Sequence, residues 1–327
     1  MKEEEIRPKK VFDEYLRLGE LDAIKFFARS LRESVLCPAC HSKGIYSFDK
    51  HGFSYEECPD CQTLFVSPRP PLEDFFRYYR ESDSANYFAT TFYKETAEAR
   101  REMLWRPKAK MVDDILKKYN AEPDEIFDIG GGFGIFAEEY RCLSGVDVTI
   151  IEPGPELAEI CRKKGLNVIE SFLEKININD LKKGPKVFVS FELFEHLHDC
   201  GVFFERLSQL MQPGDLFLFT TLSGMGIDIQ ALWDQSNSIS LQHLNFFNPR
   251  SIRILIDKFG LEVLEVSTPG KLDLDILYKN REKINDRFIR NLISQSTEES
   301  RSLWQKFISD NGFSSHMFVV CQRPIVS

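Results

Sequence analysis

Nine residues constrain this chain more than any others: Ile126–Gly134, IFDIGGGFG. A short apolar segment closes on an acid, glycine recurs at 130, 131, 132 and 134, and the helix-compatible run Ile135–Tyr140 follows. Strand, glycine turn and helix in that order form a nucleotide-binding crossover. Glycine permits the tight turn and lets a ligand approach without a Cβ in its way, and the helix start offers free N–H groups. The spacing discriminates between ligands. A dinucleotide fingerprint beginning at Gly130 or Gly132 needs glycine at 135 or 137, where the chain has Ile135 and Ala137.

The pattern present, Asp128-x-Gly130-x-Gly132-x-Gly134, resembles motif I of the class I S-adenosylmethionine (SAM) methyltransferases. The resemblance implies that the loop hugs the methionine part of SAM. A second β-branched segment, Val148–Ile151, ends on Glu152, eighteen residues past Gly134. An acid there is placed to accept ribose hydroxyls. A nucleotide turn for another ligand, or a decayed site, is the bland alternative.

From Ile126 onward strands and helices alternate, which predicts an α/β fold with a parallel sheet covered on both faces. Strands are expected near 126–129, 147–151, 166–169, 185–190, 215–221, 261–266 and 316–322. Helices are expected near 132–141, 155–164, 198–211, 248–258, 281–294 and 298–309. The family resemblance makes this a Rossmann-like methyltransferase sheet of seven strands, the last antiparallel.

Upstream, Cys37-x2-Cys40, a seventeen-residue gap and Cys58-x2-Cys61 carry the spacing of a four-thiolate zinc site. The aromatic, Gly52-containing segment between the pairs suits a hairpin, giving a small zinc-ribbon-like module with a structural ion. Four protein ligands leave no open position for catalysis. Cys142, Cys161, Cys200 and Cys321 are expected to be reduced core cysteines. Residues 8–31 read as helix with a break at Gly19, Leu72–Tyr79 as a short helix with Leu72, Phe75, Phe76 and Tyr79 on one side, and residues 86–119 as a long helical stretch bent near Pro107. Its Tyr87, Phe88, Phe92 and Tyr93 either line the cleft or pack in the core. The expected organisation is therefore 1–68 (helix and zinc module), 69–125 (connecting and lid helices) and 126–327 (methyltransferase domain).

Ligands of open α/β sheets bind beyond the carboxyl ends of the strands. Phe172, after the third strand, is a candidate adenine wall, and Phe191, just after the fourth, a second flank for SAM. Glu192-Leu193-Phe194-Glu195-His196 resembles the E-x-L-E-H segment of methyltransferases of the ubiquinone-biosynthesis type, which implies an acid and a histidine facing the acceptor. His243, in the loop Leu241–Pro249, reaches the same edge. With the four cysteines and the H-x-x-[FYN]-F loop, the chain resembles the sugar C-methyltransferases. It is also similar to methyltransferases of bacterial surface-polysaccharide clusters, through RPKKVFDEYLRL, HLNFFNPRSI and SSHMFVV. The resemblance implies a sugar or sugar-nucleotide acceptor in polysaccharide or secondary-metabolite biosynthesis.

For His243 three readings stay open: a general base, with His196 and Glu192 together as the alternative base, a ligand with Glu192, Glu195 and His196 of a divalent Mg or Mn ion, or a structural loop residue. In the metal reading Glu192, Glu195 and His196 share one face of a helix, as in the small-RNA end methyltransferases. A net charge of −9 argues against nucleic acid as partner, and hence against an RNA methyltransferase guided by the zinc module. No apolar run is long enough to span a bilayer, and the charged N-terminus is no signal peptide, so a cytoplasmic enzyme is expected. A non-catalytic SAM-binding interaction protein is the runner-up.

Overall fold

The computed structural model describes residues 2–181 and 184–325. Its largest element is a seven-stranded sheet in the order β10-β11-β8-β7-β4-β5-β6. The strands are β4 (Glu125–Ile129), β5 (Val148–Ile151), β6 (Asn167–Ile169), β7 (Lys186–Phe191), β8 (Leu216–Leu222), β10 (Glu262–Ser267) and β11 (His316–Gln322). Pairing is parallel from β6 to β8, and β11 lies antiparallel between β8 and β10. Each strand falls within a residue or two of its expected position. The central ones are apolar on both faces, as helix-covered parallel strands must be: β4 and β7 are buried at every residue.

A second sheet of four strands contains β1 (Ile45–Lys50), β2 (Phe53–Glu57), β3 (Leu64–Val66) and β9 (Asn245–Phe246). β1 and β2 are the anticipated hairpin, turning through Gly52 at φ +76°. β9 escapes sequence reading because it comes from the loop that carries His243. Leu64 and Phe65 pair with Phe246 and Asn245, so the cysteine-bearing sheet borrows a strand from the distant end of the chain. One core then joins the N-terminal helix (Phe26, Phe27), this sheet (Phe53, Tyr55) and the 239–246 loop (Leu241, Leu244, Phe246).

Several local expectations fail for identifiable reasons. The N-terminal helix runs unbroken from Lys9 to Phe27. A Cβ on Gly19 would lie 3.6 Å from Leu241 Cδ2, so packing against that loop offsets glycine's cost of about 1 kcal/mol in a helix. The helix Leu72–Glu81 buries Phe75 and Tyr78 rather than Leu72, Phe76 and Tyr79, which stay 40–43% exposed. Residues 83–118 form one continuous helical stretch. Its irregularities are π-turns at Phe88–Phe92 and Arg101–Trp105, and Pro107 sits just after the second. Helices Ile227–Leu232 and Asp273–Lys279 were not anticipated, and the helix expected over 281–294 spans Arg287–Ser294. Cys161, Cys200 and Cys321 are buried, but Cys142 is exposed. No helix is long and apolar enough to cross a membrane among the described residues.

Arg69 knots the two sheets together. It is 4% exposed; its Nε donates to Val66 O (3.0 Å), Nη1 to His198 O (2.6 Å) and Nη2 to Asn245 Oδ1 (2.6 Å). Burial pushes the guanidinium down to about 10, so it remains charged at neutrality. Arg69→Met would strand these acceptors without a donor and should cost about 3–5 kcal/mol. Urea unfolding of the variant should show a lower midpoint at unchanged slope; an unaltered midpoint would mean the knot contributes nothing.

Candidate active site

The glycine loop leaves β4 at Asp128 and enters the helix Ile135–Ser144 with Gly130, Gly132 and Gly134 at φ +70°, +53° and +71°. These left-handed values are what glycine tolerates without strain. At Gly134 a side chain would also collide, its Cβ 2.6 Å from Leu166 Cδ1 and 2.9 Å from Cys161 Sγ. At Gly132 the space is open. Asp128 is 2% exposed and its Oδ2 has no hydrogen-bond partner among the described residues. Burial first, then the Glu152 charge, push this carboxyl up to about 7, with Lys108 opposing. A buried acceptor without a donor is costly, so the strand end fits a ligand that brings donors.

Glu152 directly follows β5 and turns back under the loop. Oε2 accepts from Gly132 N at 3.0 Å and Oε1 from Gly154 N at 2.8 Å. Each oxygen keeps a lone-pair site for a further donor. Overhead lies the helical stretch 83–118: Tyr93 stacks on Phe133 with ring centres 3.8 Å apart, and Arg101 binds Glu138 and Glu139 at 2.8 and 2.7 Å. Phe92 and Tyr93 are thus buried, Tyr93 against the loop itself. Phe172 is 37% exposed at the edge of the cleft, tilted against Phe76. Phe191 lies deeper, between Phe136 and Trp105.

The segment after β7 is not the helix that the metal reading assumed. Glu192 adopts φ +55°, Phe194–His196 is a single 3-10 turn, and the next helix starts only at Cys200, capped by Asp199. Glu192 and Glu195 therefore diverge. Glu192 Oε1 accepts from Lys108 Nζ (2.7 Å) and Thr220 Oγ1 (2.8 Å) and lies 3.5 Å from His316 Nδ1. Burial alone would raise its pKa, but Lys108 and His316 hold it well below the carboxylate range. Glu195, 2% exposed, accepts from Thr221 Oγ1 at 2.9 Å. Burial and the charge of Glu192 push it up to about 8.

His196 and His243 meet edge to face, ring centres 4.7 Å apart. One ligand atom from each, with one from Glu195, lies within 4.8 Å of the others, and Glu192 stands outside this group. His243 Nδ1 donates to Ser238 O at 2.6 Å, which leaves the lone pair on Nε2. Burial, chiefly, pushes His243 down to about 4 and His196 to about 3. Both rings are neutral at physiological pH. Lys108, Thr220 and His316 went unnoticed in the sequence. Lys108 sits in the charged run RPKAK and His316 at the head of an apolar strand, with no spacing that ties either to Glu192.

The four cysteines form a separate centre. Cys37 Sγ lies 3.5 Å from Cys61 Sγ and Cys40 Sγ 3.3 Å from Cys58 Sγ, with all four sulfurs within 4.8 Å of one another. None is in a disulfide. A tetrahedron of thiolates about 2.3 Å from an ion requires sulfur separations of roughly 3.8 Å, a few tenths of an ångström beyond the two closest pairs and inside the 4.8 Å spread of the group. The side chain of Asn248 donates to Cys61 O and Gln62 O, tying the second knuckle to the loop that follows β9.

Comparison with known proteins agrees with this architecture. Ubiquinone biosynthesis O-methyltransferase of Bradyrhizobium sp. (strain ORS 278) is 24% identical over 147 residues, 37% of this chain. The chain spans 58% of the length of that relative. Among solved structures, the plantazolicin methyltransferase BpumL in complex with SAH superposes with a TM-score of 0.50 at 10% identity, covering 76% of this chain and 93% of the other. The same enzyme with a monoazolic desmethylPZN analog and SAH gives 0.50 at 11% identity, covering 77% and 94%. At such identities the likeness is one of fold. The family described as "Methyltransferase domain" matches residues 98–266, more than half of the chain. From the middle of the 83–118 helical stretch to β10, this chain belongs to the methyltransferase-domain family.

Proposed function

We propose that the chain is a SAM-dependent methyltransferase acting on a small molecule, with a sugar or sugar nucleotide as acceptor. The observation that carries this reading is the unpartnered, buried Asp128 Oδ2 beneath an open glycine turn, at the same sheet edge as Glu192, His196 and His243. In this reading Gly130, Gly132 and Gly134 shape the cradle, Asp128 receives donors from the amino-acid end of SAM, and Glu152 receives the ribose hydroxyls. Phe172 covers one side and Phe191 supports the cradle from behind. Bound SAM supplies an electrophilic methyl carbon. The chain's own work is to align an acceptor, keep water out beneath the 83–118 stretch, and remove a proton.

His243 is the proposed base, through the Nε2 that its Ser238 contact leaves bare. A second reading is favoured by the closeness of Glu195, His196 and His243. Two neutral imidazoles and a carboxylate suit a divalent ion that polarises an acceptor hydroxyl. The cysteine centre is proposed to hold structural zinc. It has no open position and lies in the sheet that braces the His243 loop.

Three measurements test these assignments. Glu152→Ala should weaken SAH binding roughly 10- to 150-fold, since a charge-assisted acceptor contributes about 1.5–3 kcal/mol; an unchanged dissociation constant in a folded variant would place the ribose elsewhere. Reduced, chelator-free protein should carry about one equivalent of zinc, and Cys58→Ser should release it and lower the melting temperature. Less than about half an equivalent of any metal would remove the zinc assignment. With an acceptor in hand, His243→Ala should lower turnover about 10²–10⁴-fold without any metal requirement. Because His243 is pushed down to about 4, its base form persists as the pH falls below neutrality. Turnover should stay level through the range where an ordinary imidazole, near 6.5, would protonate. Loss of activity with chelator and recovery with Mn²⁺ would instead select the metal reading, and near-normal turnover of His243→Ala in chelator would leave the loop structural.

A further inference from the structure

Two guanidinium groups lie on segments packed over the glycine loop. Arg100 ends the α-helical segment Tyr93–Arg100. Its neighbour Arg101 is committed to Glu138 and Glu139, but Arg100 has no carboxylate partner among the described residues. Its Nε is buried without a hydrogen bond. Its guanidinium carbon lies 5.8 Å from the centre of the Tyr93 ring, the ring stacked on Phe133 of the glycine loop. The short helix Glu3–Ile6 packs against the same segment and brings Arg7 alongside. Arg7 makes a 3.6 Å contact with Glu3 and lies 5.4 Å over the Phe12 ring.

Ring contacts carry Arg7 toward the site as well: Phe12, beneath it, packs on Phe92 and Tyr15, and Tyr15 OH accepts from Gln242 Nε2, next to His243. Burial first, and the charge of Arg7 second, push Arg100 below its ordinary value, with Glu192 among the opposing charges. Arg7 also acts on His243 in the same direction. Lys108, the third cation of the cleft, is already matched by Glu192 at 2.7 Å. Two like charges held together, one without a carboxylate among the described residues and the other sharing Glu3 (3.6 Å) with Lys279 (4.0 Å), are an unfavourable arrangement. An anion between them would relieve it, and planar guanidinium forks suit phosphate and carboxylate oxygens.

We infer that Arg100 and Arg7 form a seat for an anionic group of the acceptor. The acceptor class is then an organic phosphate or carboxylate, a nucleoside-diphosphate-linked sugar included, rather than a neutral molecule. This rests on the methyl-transfer reading and narrows its substrate.

The test is calorimetry on the full chain with two probes: SAH, then inorganic pyrophosphate titrated into SAH-saturated protein. Pyrophosphate should bind, Arg7→Gln and Arg100→Gln should each weaken it roughly 10- to 100-fold, and SAH affinity should stay within about twofold of the parent. Arg100→Lys should recover part of the loss. Arg7→Gln changes the cap of a four-residue helix and tests the seat by itself if Arg100→Gln does not fold. The seat is overturned if pyrophosphate does not bind, or if it binds equally to parent and variants. It is also overturned if the substitutions weaken SAH while sparing pyrophosphate, since the cations would then serve the cofactor's own carboxylate. If the parent fails to bind SAH, the methyl-transfer reading falls, and pyrophosphate titrated into the free chain still reads the seat on the same terms.

Discussion

The ion pair between Lys108 and Glu192 is the contact on which the geometry of the cleft depends. It joins the helical stretch covering the site to the end of β7, with the lysine side chain 10% exposed and the glutamate 34%. A partly buried pair of this kind is a weak source of net stability, because desolvation offsets much of the attraction, but losing one partner leaves an uncompensated charge. Its larger effect is positional. Glu192 holds a left-handed backbone that non-glycine residues rarely adopt. Lys108, Thr220 and His316 converge on the side chain that results. That backbone turns Glu195 and His196 away toward His243, so two adjacent polar groups of opposite character arise from five consecutive residues.

Those groups differ because their neighbours differ. Glu192 has two cationic or potentially cationic partners and stays ionised, whereas Glu195 has a hydroxyl and a nearby like charge and is driven toward its neutral form. Separation of two carboxyls by environment is how acid and base roles become assigned in a confined site. The two imidazoles are neutral for a related reason, since burial penalises their charged form.

The cysteine module is part of the machinery rather than an appendage. Its sheet is completed by Asn245–Phe246, and Asn245, through Nδ2 donating to Phe194 O and Leu197 O, grips the turn that carries His196. Arg69 closes the same knot from the other side. A metal at the four sulfurs would therefore stiffen, through Asn248 and β9, the loop that presents His243. The four sulfurs and the His196–His243 pair share one scaffold.

The sequence by itself determined the parts whose signal is local. Strand positions followed from β-branched runs, the crossover from the glycine spacing, the sulfur cluster from two CxxC pairs, and the Gly52 hairpin from its turn residue. These patterns are dictated by neighbouring residues and survive in any context. Tertiary structure decided what depends on partners far apart in the chain. Gly19 stays helical because Leu241 packs against it, and residues 192–196 refuse a helix because Lys108 and Thr220 claim Glu192. Residues 245–246 become a strand because β3 offers an open edge. The helix Glu3–Ile6 packs on the segment Tyr93–Arg100 although some ninety positions separate them. No periodicity encodes such meetings; they exist because packing brings the segments together and buried polar groups must then find partners or a ligand.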